Sequence, residues 1–306
     1  REAGQGGRGG VLYSALAHHA CRSMSRAIFK STSIVGLTTL LSRVTGLVRD
    51  MVYSQAFGAG TLMDAFLVAY KIPNFLRRLF AEGAFSQSFV PVISEYRVRR
   101  PDEVRDLVGG VAGTLGGLLA IVTAVGVLAA PLIILLFAPG FTQHGDDKYA
   151  LAVHMLRWTF PYLFFVSLTA LFGGVLNSYG RFGVPALTQV LMNLVMILFA
   201  VAIASHTASP GVTLAIGVFV AGVVQLGFQL PFVARLGLLG RPRWQPAAEG
   251  VRRIGRLMLP GIVGSSMAQV SLMLDTLIAS FLVTGSIAWL YFADRLMEFA
   301  LGVFSI

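Results

Sequence analysis

The chain has 306 residues, 56% of them hydrophobic and 12% charged, with a mean hydropathy of +0.75 and a formal charge of +10. That composition excludes an ordinary water-soluble domain, in which roughly a quarter of the residues are charged. A single cysteine, Cys21, excludes an internal disulfide or a cysteine metal cluster and argues against redox chemistry. The basic residues lie between and inside apolar runs, so the positive charge speaks for membrane topology and an anionic ligand rather than for nucleic acid.

Residues 1–23 are Gly-rich, lack a sustained apolar segment and read as a disordered leader; Met24 opens a more ordinary start. From there the apolar runs predict helices at about 31–56, 63–95, 105–137, 149–178, 184–205, 211–238, 252–283 and 286–306. Several reach the roughly 20 residues that cross a bilayer core. The fold class expected is an all-α, multi-pass membrane protein.

The connections alternate in charge. One set holds Arg97, Arg99, Arg100, Arg105, Arg181, Arg235, Arg241, Arg243, Arg252, Arg253 and Arg256, and the other holds Lys148. By the positive-inside rule the first set, together with Arg26 and Lys30, is cytoplasmic, and so is the amino terminus. Ser-Ile-Val-Gly at 33–36 recurs as Gly-Ile-Val-Gly at 261–264, and Gly-Ala-Phe-Ser at 83–86 as Gly-Val-Phe-Ser at 302–305. If the echo is a true repeat, the seventh and eighth helices restart the first two. The organisation expected is a six-helix lobe at 24–250 and the start of a second lobe at 251–306, cut short inside an apolar run at Ile306.

Charges inside these helices carry the functional signal. A charge at mid-bilayer costs roughly 2.5–3.5 kcal/mol even on lenient scales, so such residues face protein or water. Arg43 falls near the middle of the first helix, Arg77 and Arg78 near the middle of the second, and Arg295 deep in the eighth. Asp64, Lys71, Asn74, Arg78 and Glu82 share one stripe of the second helix. Arg77 is turned about 100° from Arg78, which predicts that the two point in different directions. On the first helix Ser42 aligns with Arg49, and Arg43 with Asp50. For Arg49 and Lys71 the rival is snorkelling to the outer interface. For Arg43 and Arg295 it is a buried pair with Asp50, Asp64, Asp294 or Glu298. Six deep cations outnumber the five nearby acids Asp50, Asp64, Glu82, Asp294 and Glu298 by only one, too little to define a cavity.

The segments Ser-Arg-Val-Thr-Gly-Leu-Val-Arg-Asp at 42–50, Phe-Gly-Ala-Gly-Thr-Leu-Met-Asp-Ala-Phe through Phe-Val-Pro at 57–91, Asn-Ser-Tyr-Gly-Arg-Phe-Gly-Val-Pro-Ala at 177–186 and Tyr-Phe-Ala-Asp-Arg-Leu-Met-Glu-Phe at 291–299 resemble the MurJ/MviN family of lipid II flippases. The resemblance runs from Met24 to about Phe299. It implies two pseudo-symmetric six-helix lobes around a central cationic cavity, within the multidrug/oligosaccharidyl-lipid/polysaccharide exporter superfamily. The implied activity moves the undecaprenyl-diphosphate-linked peptidoglycan precursor across the bacterial cytoplasmic (inner) membrane, from inner to outer leaflet, for cell wall synthesis.

The resemblance places substrate-binding arginines at Arg43, Arg49, Arg77 and Arg295, with Ser42, Asp64 and Asn74 among the sensitive polar positions; Lys71, Arg78, Glu82, Asp294 and Glu298 complete the supporting set. Guanidinium forks suit phosphate oxygens, which they hold bidentately. The implied partners are lipid II, membrane lipids and cell wall synthesis or division proteins. No cofactor or metal is expected. Asp275 in the seventh helix is the candidate for Na+ or H+ coupling, with the membrane potential as the other driving force. Pro73, Gly36 and Gly46 are candidate bending points.

The sequence departs from the family pattern at Ala300-Leu301-Gly302-Val303, where the family carries Pro-Leu-Gly-Val. Rival readings are a cation-coupled drug or ion antiporter, which needs acids for cationic substrates, and a non-transporting scaffold that binds lipid-linked precursor. A polyprenyl-diphosphate phosphatase would need a nucleophile or metal ligands, whereas His144, His154 and His206 lie scattered without an acid cluster.

Overall fold

A computed structural model describes residues 36–78, 85–143 and 147–305, and among them the regular structure is helical with no strand. Glu82, His144, the leader at 1–23, Arg26, Lys30 and the echo positions 33–35 and 83–84 lie outside this description, as do the side chains of the echo positions 302–305. The helices are α1 (36–57), α2 (Thr61–Arg77), α3 (Ser86–Arg99), α4 (Val104–Leu128), α5 (Ala130–Phe137), α6 (Lys148–Thr159), α7 (Tyr162–Ser178), α8 (Gly183–Leu198), α9 (Pro210–Arg235), α10 (Glu249–Ser280) and α11 (Ser286–Ser305).

Two of the long apolar runs are divided into separate helices at proline. The run expected at 105–137 divides at Ala129, with Pro131 in the first turn of α5, and the run at 149–178 divides at Pro161, the residue before α7. Proline lacks an N–H and disfavours helical geometry in the residue before it, so each break falls just ahead of the ring. The run expected at 63–95 is described as α2 and α3 on either side of 79–84. The last turns of the 184–205 run loosen into a π turn at Phe199–Ile203.

Among the described residues four stretches are long and apolar enough to cross a bilayer, Pro101–Leu128, Lys148–Ser178, Gly183–His206 and Pro210–Arg235, and the two halves of α10 around a 50° bend would make a fifth. The chain is a membrane protein built on such helices. Along α4 and α5 the residues Leu118, Ile121, Val125, Leu128, Leu132 and Leu135 are exposed at spacings of three and four, an apolar stripe turned outward as lipid requires. The Lys148–Ser178 stretch is the most enclosed, and it packs α6 and α7 against α2 and α9. The charge-bearing helices α1, α2 and α11 are not among the apolar four.

Small residues and buried polar bonds bring the helices together. Thr159 Oγ1 donates to the Ala69 carbonyl at 2.7 Å, joining α6 to α2, and Gln225 Nε2 donates to the Thr188 carbonyl at 2.8 Å, joining α9 to α8. The α9–α10 connection lies in a groove on α4 made by glycine. The Arg243 N–H donates to the Gly109 carbonyl at 3.1 Å, and a Cβ on Gly113 would collide with the Arg243 backbone. No residue larger than glycine fits there without moving the segment.

The arginine-rich connections gather at one end of the bundle. Arg100 lies 3.5 Å from Glu249, Arg253 2.9 Å from Glu95 and Arg243 3.8 Å from Asp106. Arg97 donates to the Ser178 carbonyl and stacks over Tyr179 at 4.6 Å.

Candidate functional site

Residues of α1, α2, α8, α10 and α11 border a cavity of about 750 Å³. It brings together most of the residues singled out from sequence: Ser42, Arg43, Arg49, Lys71, Asn74, Arg77, Arg78, Asp294, Arg295 and Glu298 all line it. Arg77 and Arg78 both border it, although their helical rotation predicts divergent directions; an opening of this size spans more than one face of α2.

At its inner wall Arg49 and Asp50 are both 5% exposed. Arg49 donates from Nε and NH2 to Asp50 Oδ1 at 2.9 and 2.7 Å, from NH1 to Asn193 Oδ1 at 3.0 Å and from NH2 to the Tyr291 hydroxyl at 3.0 Å. Tyr291 in turn donates to Asp50 Oδ1 at 3.1 Å. Four of the five guanidinium hydrogens thus engage protein. Snorkelling does not describe Arg49, because it is buried and joins α1, α8 and α11. Asn193 completes the bracket by donating to the Ser42 carbonyl at 3.1 Å and to Thr45 Oγ1 at 3.2 Å.

The remaining cations are tied more loosely. Arg43 NH1 donates to the Glu298 carbonyl at 3.2 Å, and Arg295 NH1 to Glu298 Oε2 at 2.8 Å. Arg295 Nε stands 3.9 Å from Asp50 Oδ2, and its guanidinium lies over the Tyr291 ring at 5.2 Å. On α2, Asn74 donates to the Tyr70 carbonyl at 3.1 Å and accepts from Arg77 Nε at 3.0 Å, a ladder along one face that aims the arginine. Lys71 Nζ donates to Thr276 Oγ1 at 3.2 Å, linking α2 to α10.

Asp64 does not join this group. It is 1% exposed at the start of α2, where it accepts from Lys148 Nζ at 3.1 Å, from the Gly285 N–H at 2.7 Å and from the Ala288 N–H at 2.9 Å. A carboxylate suits that place, because a helix start presents unpaired N–H groups and a positive dipole end. Asp275 lies on the exposed side of α10, one residue from Thr276, and does not line the cavity.

Among the described residues the charge balance around the cavity is positive, with Glu82 outside the description. Six cations border the cavity, Arg43, Arg49, Lys71, Arg77, Arg78 and Arg295, against three carboxylates, Asp50, Asp294 and Glu298. Lys148 takes Asp64 out of the balance elsewhere in the fold. A positive surplus in a partly desolvated space attracts anions strongly.

Sequence reasoning missed Asn193, Tyr291 and Gln189. Asn193 and Gln189 leave a signal, as amides in the apolar run Ala186–Leu198, whereas Tyr291 reads as an interfacial aromatic.

An all-helical membrane protein with a cation-rich cavity between its helices is the class these features define. The model of the family described as "Lipid II flippase MurJ" matches residues 53–306. The chain belongs to that family, which is a transporter family rather than an enzymatic one. It is 50% identical over 275 residues to a probable lipid II flippase MurJ of Haemophilus influenzae, covering 88% of this chain and 54% of that protein. It is 42% identical over 277 residues to a lipid II flippase MurJ of Burkholderia cenocepacia, covering 89% and 54%. The chain thus spans about half the length of the curated relatives it matches. A solved structure of lipid II flippase MurJ in an inward closed conformation superposes with a TM-score of 0.75 at 25% identity, over 89% of this chain and 56% of that one. A MATE transporter of Vibrio cholerae, VcmN in its bent form, matches in fold alone, with a TM-score of 0.60 at 15% identity, over 92% and 62%.

Proposed function

We propose that the chain supplies the first lobe and the opening helices of the second lobe, about 24–250 and 251–306, of a flippase for lipid II. Lipid II is the undecaprenyl-diphosphate-linked disaccharide peptide used in cell wall synthesis. The observation that carries the reading is the surplus of three positive charges among the described residues that border one cavity, beside membership of the lipid II flippase family.

In this reading the arginine-rich end lies in the cytoplasm of the bacterial cell, on the inner face of the cytoplasmic membrane, as the positive-inside rule favours. Arg43, Arg77 and Arg295 hold the diphosphate, with Lys71 and Arg78 adding positive field. Arg49, whose donors are already engaged by Asp50, Asn193 and Tyr291, positions α1 against α8 and α11 rather than grasping phosphate first. The tie of Asp64 to Lys148 and the start of α11 closes the other end of the bundle. Translocation then needs no bond chemistry. The lobes rock, the anionic headgroup crosses in the cavity, and the polyprenyl tail stays in lipid.

The headgroup's negative charge also suggests a driving force. With the cytoplasm negative, outward movement of an anion gains about 2.3 kcal/mol per charge per 100 mV. Asp275, exposed on α10, is the candidate for any coupled Na+ or H+.

The test is lipid II accessibility across reconstituted vesicles containing the full-length protein. The expected result is translocation by the wild type and its loss in Arg43→Ala and Arg295→Ala. Wild-type rates in both variants would sink the cavity reading, and an inactive full-length protein would favour a scaffold.

A further inference from the structure

The cavity wall is divided by chemistry. Among the described residues, every charged residue that borders it comes from α1, from α2 and its C-cap Arg78, or from α11, and the residues contributed by α8 and α10 are uncharged. The neutral wall combines the amides Gln189 and Gln269 with apolar surface from Pro185, Met192, Leu272 and Met273. An anion can use the amide donors of such a wall but not its acceptors and apolar surface together. A sugar uses all of these, because hydroxyl and acetamido groups pair with amides while the C–H faces of the ring lie on apolar side chains.

Within that wall the amides differ in how far they are committed. Asn193 is 2% exposed and engaged by Arg49, Ser42 and Thr45. Thr188 is also buried and donates to the Pro185 carbonyl at 2.6 Å. Gln189, one turn from Asn193, is exposed, and its Nε2 makes a single long contact to Met192 Sδ at 3.7 Å. A sulfur contact of that length is weak for an amide donor. Gln189 therefore presents both a donor and an acceptor to whatever occupies the cavity beside the cations. The cavity volume of about 750 Å³ is also far more than a diphosphate fills and lies within the range of pockets that enclose a sizeable organic ligand.

We infer that the α8–α10 wall is a glycan subsite, in which Gln189, assisted by Gln269, hydrogen-bonds the N-acetylated sugar attached to the diphosphate. This assignment rests on the lipid II reading above and adds a division of labour to it. The α1–α2–α11 wall binds the charge shared by all polyprenyl diphosphates, and α8 and α10 distinguish the glycosylated carrier from the bare one. Hydrogen bonds to the sugar give selectivity because the bare carrier offers those amides no partner and leaves them to water.

The test compares two ligands, lipid II and undecaprenyl diphosphate, for affinity to the purified full-length protein in nanodiscs. Gln189→Leu keeps the size of the side chain and removes its hydrogen bonds, and Gln269→Leu is the second variant. Gln189→Leu is expected to weaken lipid II binding about five- to tenfold, the loss of one or two hydrogen bonds, and to leave undecaprenyl diphosphate binding unchanged. Gln269→Leu is expected to act in the same direction with a smaller factor. Equal weakening of both ligands by Gln189→Leu, or no change for either, overturns the subsite. Arg43→Ala separates the two levels, since it weakens both ligands if the diphosphate site is right. If it weakens neither, the underlying reading fails, and the glycan subsite falls with it.

Discussion

Helix α2 carries a buried charge at its start and a cluster of cations toward its end, and the two are handled in opposite ways. Asp64 is enclosed with Lys148 and two backbone N–H groups, so its charge and its hydrogen-bonding capacity are met within the fold. About 20 Å along the helix, Arg77 and Arg78 border a space where, among the described residues, cations outnumber carboxylates two to one. Burial alone therefore says little about function here. A closed set of partners makes a structural joint, and a surplus makes a binding site.

Substitutions can break or sharpen that contrast. The largest effect is expected at the closed joint: Asp64→Ala strands the Lys148 ammonium in a buried site and removes the acceptor at the start of α11, for a loss of about 3–5 kcal/mol. Thermal unfolding in detergent measures it, and Asp64→Leu combined with Lys148→Met should recover much of the loss. A harmless Asp64→Ala would mean that the joint is not closed.

Asn193→Leu is intermediate, since it removes the bracket between α1 and α8 and leaves part of Arg49 unsatisfied. A loss of about 1–3 kcal/mol is expected, with weakened ligand binding beside it. Stability unchanged within error would remove Asn193 from the positioning role.

Arg43→Ala should cost under about 1 kcal/mol in stability, because the side chain holds a single backbone carbonyl, while ligand affinity falls at least tenfold. A large drop in melting temperature would place Arg43 with the structural residues instead. The smallest effect belongs to Arg99→Ala at the exposed Glu95 pair, where about 0.3–0.5 kcal/mol is the expected limit. A larger loss there would show that the basic end is a packed unit rather than a solvated one.

Much of the helical frame was legible in the sequence because hydropathy needs only local information. The apolar runs locate the spans, and proline marks where α4 gives way to α5 and α6 to α7. Candidate site residues were legible for a related reason: arginine inside an apolar helix is costly enough to stand out. Which of them meet, and which charges cancel, depends on contacts between distant segments. Asp64 lies on the same stripe of α2 as Lys71, Asn74 and Arg78, yet its partner is Lys148, 84 residues away, and stripe geometry gives no hint of that. Arg77 and Arg78 looked incompatible by rotation because helical-wheel reasoning treats a ligand as a point, whereas this cavity is wide. Gln189, Asn193 and Tyr291 stand out less than a charge does in an apolar run, although all three border the cavity and Asn193 and Tyr291 hold Arg49.

The central claim, that the cavity is a site because its positive charge is in surplus, is tested most directly by the affinity of the full-length protein for undecaprenyl diphosphate. The measurement compares wild type with Arg43→Ala/Arg77→Ala/Arg295→Ala and follows melting temperature alongside. A loss of about a hundredfold or more with melting temperature largely preserved is the predicted result, since three charge-assisted contacts are removed at once. Wild-type affinity in the triple variant would contradict the account.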